Sequence, residues 1–116
     1  MARNAVKLGS RKSGWWEYVP VLREYKPFDT SGSLKGRVGD DDYSWGRLTD
    51  DELAAFKDAY YARKLQYVVY SYSTPIAWKS SDDAEWYVSE SHYSETTTKQ
   101  QNKIAVAISK IDDPAY

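Results

Sequence analysis

The chain has 116 residues, 16 of them basic and 17 acidic, for a formal net charge of −1, and it contains no cysteine. That length fits one domain with a real core. The balanced charge excludes an overall field toward nucleic acid or membranes, and the missing thiols exclude disulfides, cysteine nucleophiles and thiolate metal sites.

A single histidine, His92, leaves too few ligands for a conventional zinc or iron centre, so no metal and no cofactor is expected. The mean hydropathy of −0.75 indicates a soluble protein. No apolar run approaches the roughly 18–20 residues of a membrane span, and the N-terminus lacks the apolar stretch of a signal peptide. A cytoplasmic protein is the expectation. Its core should be aromatic, because 5 Trp and 11 Tyr supply much of the apolar surface.

Residues 1–13 carry Arg3, Lys7, Arg11 and Lys12 with no acid, and read as a flexible basic arm ahead of a single domain over 14–116. Residues 15–28, W-W-E-Y-V-P-V-L-R-E-Y-K-P-F, read as a strand in which Pro20 marks an edge or a bulge. Residues 31–38 follow as a second short strand with glycines at its bends. Asp40, Asp41 and Asp42 lack the spacing of an EF-hand loop and read as a solvated turn.

The first helix is predicted over 50–64. Thr49 and Glu52 form a T-x-x-E capping box with Leu48 and Leu53 at the staple positions. Leu53, Phe56 and Tyr60 give one apolar stripe. Residues 66–73, Q-Y-V-V-Y-S-Y-S, are apolar on both alternating faces and predict a central strand. Thr74-Pro75 reads as a corner into a strand I-A-W-K-S, which forms a hairpin with E-W-Y-V-S over 85–89. Ser94 reads as the N-cap of a final helix reaching about Lys110, with Gln101, Ile104, Ile108 and Ile111 on one face. The I-A-V-A-I run taken alone suits a strand equally well. The expected fold is α+β: an antiparallel sheet of about five strands with two helices packed on one face.

The pieces S-Y-S-T-P-I-A-W, W-Y-V and Y-S-E-T-T-T-K-Q-Q, in that order, resemble a small domain of unknown function from actinobacteria and their phages. The resemblance spans residues 65–108, with weaker echoes at 28–36 and near Leu48. It implies a phage-encoded protein working in a bacterial host, and it supports the helical reading of the final segment. That family carries a histidine where this chain has Gln100, so no chemistry needing an imidazole there operates here.

No convergent acid, base and nucleophile set is visible, so the chain is read as non-enzymatic. The leading expectation is protein–protein interaction with a host or self partner, through Trp15, Trp16, Tyr70, Tyr72 and Tyr87. The alternative is a nucleic-acid-binding accessory protein using the basic arm and an aromatic sheet face, flanked by Arg23, Lys26, Lys35, Arg37 and Lys79. A third reading places a phosphate-bearing ligand at Ser94, Thr96, Thr97 and Lys99, at the start of the last helix. An aromatic patch with an acidic rim favours a protein partner, and a basic rim favours nucleic acid.

Overall fold

The computed structural model describes residues 6–8, 15–30, 34–38, 45–48, 50–82, 85–89 and 95–112. Among these residues six strands form one sheet in sequence order: β1 (Val6–Leu8), β2 (Phe28–Thr30), β3 (Leu34–Val38), β4 (Leu65–Ser71), β5 (Thr74–Ser80) and β6 (Trp86–Val88). The five strands β2–β6 are antiparallel, as expected, and β1 adds a parallel edge beside β2. Among the described residues three helices pack with the sheet: α1 (Tyr18–Arg23), α2 (Asp50–Tyr61) and α3 (Glu95–Ser109). The architecture is mixed α+β.

Two departures from the sequence reading stand at the N-terminal end. Val6–Leu8, inside the stretch expected to be an arm, forms a strand; residues 1–5 and 9–13 lie outside the described residues. Residues 15–23, expected as a strand, form a 3-10 turn (Trp15–Glu17) running into α1. Pro20 falls in the first turn of α1, where its missing N–H removes no intrahelical bond. β-Branched and aromatic content suggested a strand, but burial decided the outcome: Tyr18, Val19, Val21 and Leu22 all lie in the core. The helix closes with Tyr25 at φ +54, Tyr25 N donating to Leu22 O and Lys26 N to Val21 O at 2.8 Å, a Schellman motif. The end of α2 repeats that motif with Arg63 at φ +57 and Lys64 N donating to Ala59 O.

The helices do not share one face. Tyr67 and Val69 of β4 point into a core with Tyr18, Leu22, Phe28, Ile76 and Ile104, beneath α1 and α3. Val68 and Tyr70 point the other way, into a core with Leu48, Phe56, Leu65 and Trp78, beneath α2. This corrects the expectation of two helices on one face: the sheet is sandwiched, two helices against one. The double-sided burial of β4 requires it, since each of Tyr67, Val68, Val69 and Tyr70 is essentially inaccessible.

The Thr74-Pro75 pair is not the corner. A two-residue turn, Tyr72-Ser73, joins β4 to β5, and Ser71 pairs with Thr74 across it. Pro75 lies inside β5 opposite Tyr70, beside a register shift between Val69 and Tyr70 that spares a ladder donor. Thr74 is buried, and its hydroxyl accepts the Arg47 N–H at 2.9 Å, fastening the 45–48 loop over the hairpin. Both turn residues have positive φ, +61 at Tyr72 and +137 at Ser73, where glycine and asparagine are preferred. Replacing them by Asn-Gly should therefore stabilise the protein by about 1 kcal/mol, read as a higher urea midpoint at unchanged slope.

The helix expected over 50–64 ends three residues sooner, with 62–64 taken up by its C-terminal closure. Leu48 and Leu53 fall in the same core cluster, as staple positions should. Thr49 of the capping box, the acidic turn at 40–42, His92 and Ser94 lie outside the described residues. The β5–β6 hairpin and α3 form where the sequence placed them. Gln101 and Ile104 face the core, and the Gln101 side-chain amide donates to Ser89 O at 3.1 Å. Gln100 is held too: its Oε1 accepts from Ser71 Oγ, tying α3 to the end of β4.

Candidate functional site

α2 crosses its sheet face with one fully buried side chain, Phe56, whose ring meets Trp78 edge-on at 5.0 Å between centroids. Tyr87 of β6 also packs on Trp78, stacking nearly parallel at 4.4 Å and 15°. Ala55, Ala59 and Ala62 line the helix toward this sheet edge. Their small side chains leave open the volume that longer ones would fill, and a groove of ≈ 560 Å³ runs between α2 and the β5–β6 edge. Its floor is the Trp78–Tyr87 stack, and its rim carries Asp58, Lys64, Asp82 and Glu85.

Two ties hold α2 to this edge. Near its N-terminus Glu52 accepts from Ser89 Oγ at 2.8 Å and from Tyr87 Oη at 3.1 Å. Past its C-terminus Lys64 pairs with Asp82, and Lys64 O accepts the Ser81 N–H at 2.7 Å. The groove is thus bounded at both ends. With Lys64 engaged by Asp82, Asp58 and Glu85 remain carboxylates with no ion-pair partner among the described residues. The rim is acidic.

The expected partner-binding residues are dispersed. Trp15 packs half-buried against the α1–α3 core, edge-on to Trp16 at 5.9 Å, while Trp16 is 55% exposed on the 3-10 turn. Tyr70 is 1% exposed inside the α2-side core and presents no surface to a partner, which corrects its place in the set. Tyr72 is exposed at the tip of the hairpin. Tyr87 alone among these residues lines the groove. Of the residues expected to hold an anion, Ser94 lies outside the described residues, Thr96 and Thr97 fall in the first turn of α3, and Lys99 is exposed.

Sequence reasoning missed the alanines and Tyr61. Ala55, Ala59 and Ala62 recur at helical spacing alongside the Leu53–Phe56–Tyr60 stripe, and that recurrence was the available signal for open space beside the helix. Tyr61 is 68% exposed and joins Trp45 and Tyr60 in a ring cluster on which Lys57 Nζ sits, 4.9 Å from the Trp45 centroid.

The basic residues proposed to flank a stacking face are mostly engaged with the protein. Arg37 pairs with Asp29 at 2.6 Å, Lys26 with Glu24 at 3.1 Å, and Arg23 Nε donates to Ile111 O at 2.7 Å. Lys79 is buried and donates to Ser80 O at 2.7 Å. No helix among the described residues is long and apolar enough to cross a membrane.

One phenol is strongly perturbed. Tyr67 lies in the α1–α3 core with its hydroxyl donating to Lys26 O. Burial pushes its pKa far above that of a free tyrosine, against a smaller opposing pull from Arg37. A group whose folded pKa is raised contributes stability in full below its unfolded pKa and loses it as pH climbs. The stability difference between wild type and Tyr67→Phe should hold steady to about pH 10, then shrink by up to about 1.4 kcal/mol per pH unit. Urea midpoints from pH 7 to pH 11 measure it.

Comparison with known proteins found no match among curated proteins and none among solved structures. A family model does match, over residues 27–112, from just before β2 to just past α3, in keeping with the resemblance to a small domain of unknown function. The chain belongs to DUF8033, a family of unknown function.

Proposed function

We propose that this domain acts by binding another protein and not by catalysis. The observation that carries the reading is the groove beside α2: an aromatic floor of stacked Trp78 and Tyr87 within an acidic rim. Rigid rings with polar tips are the side chains that anchor protein interfaces. Carboxylates at the rim repel a phosphate backbone, and the basic residues that would have favoured nucleic acid are largely turned to internal partners. The resemblance to actinobacterial and phage domains supplies the setting, a phage-encoded protein meeting a host or self partner in the bacterial cytoplasm.

Affinity capture of the tagged chain from host lysate, with and without nuclease, tests this reading. A discrete protein retained after nuclease treatment, and lost with Tyr87→Ala, supports it. Recovery that vanishes with nuclease or with moderate salt overturns it in favour of nucleic acid.

A further inference from the structure

We infer that the groove between α2 and the β5–β6 edge receives a lysine- or arginine-bearing segment of the partner protein, an inference that rests on the binding reading above.

Three features of the groove converge on that occupant. Its floor is aromatic: Tyr87 lies 37% exposed over Trp78, and a cation above such a face is attracted by the ring quadrupole. Its wall toward α2 is Ala55 and Ala59, with Ala62 just past the helix end, and these short apolar side chains leave room for the methylene stem of a long basic side chain. Its rim holds Asp58 on the helix and Glu85 ahead of β6, on opposite banks, neither in an ion pair among the described residues. A cationic head emerging from between the rings and the alanines would meet one or both carboxylates and form charge-assisted hydrogen bonds. These carboxylates do not gather around one point. Among the described residues no three His, Asp or Glu side chains come close enough to hold a metal ion. Spread acids around an aromatic floor match an elongated organic cation.

The surface elsewhere shows that the chain already uses this chemistry internally. Lys57 Nζ lies 4.9 Å from the Trp45 centroid, and Lys103 Nζ 5.9 Å from that of Tyr18. Beside the groove Lys64 is committed to Asp82, so Asp58 and Glu85 are the rim carboxylates that stand outside any ion pair among the described residues.

A tetra-arginine peptide and a length-matched tetra-serine peptide, titrated into the full chain under ¹H–¹⁵N NMR, test the inference. Tetra-arginine, and not tetra-serine, should move the Trp78 indole and the amides of Ala55, Ala59, Ala62 and Tyr87. The double substitution Asp58→Asn with Glu85→Gln should weaken binding roughly tenfold, as loss of a hydrogen bond to a charged group does. Ala62→Leu, at an exposed position in the closure that follows α2, fills the groove without altering any charge and should weaken binding comparably. Affinities equal across wild type and both variants, or shifts confined to other surfaces, would overturn the inference as generic attraction to an acidic protein. The same variants carried through lysate capture separate the two claims. A protein partner indifferent to all of them ends the groove assignment and leaves the binding reading in place, whereas no protein partner for the wild type ends the reading itself.

Discussion

Gly36→Ala is expected to destabilise the protein by about 3 kcal/mol, near the upper end for overpacking a well-filled core. Gly36 sits in β3 opposite Phe28 of β2 on one side and Val69 of β4 on the other. The Phe28 ring lies across it and the Tyr67 hydroxyl closes the remaining space. A β-carbon there would fall well inside contact distance of both. Neither neighbour has room to give. Phe28 and Tyr67 are wholly buried, Phe28 meets Tyr18 edge-on at 5.4 Å, and Tyr67 is tethered through its hydroxyl to Lys26 O. An aromatic ring covering a strand glycine is a recurrent device for pinning register, so the substitution strains the pairing of three strands together. The thermal midpoint should fall by roughly 10 °C. A change under about 0.5 kcal/mol would mean that the Phe28 ring moves freely, contrary to its packing.

Phe56→Ala carries the second large effect, about 3–5 kcal/mol as measured for buried aromatics elsewhere. Phe56 is the one residue of α2 that is fully buried; the rest of its inner face is alanine or half-buried. Its ring supplies the edge-on contact to Trp78 and is the helix's one fully buried anchor in the core that Leu53, Ala55, Ala59 and Tyr60 flank. The cavity cannot easily collapse, because Glu52 at one end and Lys64 at the other hold α2 at its present distance. Urea unfolding gives the energy directly. A loss below about 1 kcal/mol would show that those end ties and not Phe56 hold the helix.

Much of this fold was legible in sequence because local signals and burial agreed. The run at 66–73, apolar on both alternating faces, named a central strand, and the structure buries 67–71 on both faces while 72–73 form the turn. The start of α2 and the staple pair Leu48 and Leu53 follow from short-range chemistry that no tertiary contact needs to override. α1 was illegible for the opposite reason. Its Tyr-Val-Pro-Val-Leu core has strand propensity, and it is helical because α3 and the sheet present a surface that takes a helical face. Missing α1 removed a helix from one face and led to α2 and α3 being placed together. The site was less legible than the fold. Tyr87 was named from its residue type, but the groove depends on three alanines, whose contribution is volume they do not occupy. Tyr70 shows the converse: residue type suggested an anchor, and position made it core.

The most direct test of the central claim, that this domain binds a protein partner along the α2–β6 groove, is amide hydrogen exchange on the chain alone and in complex with the captured partner. Protection concentrated in Asp50–Tyr61 and Trp86–Val88 is the result expected. Protection confined to Tyr18–Arg23 and Glu95–Ser109, on the opposite face of the sheet, would contradict it.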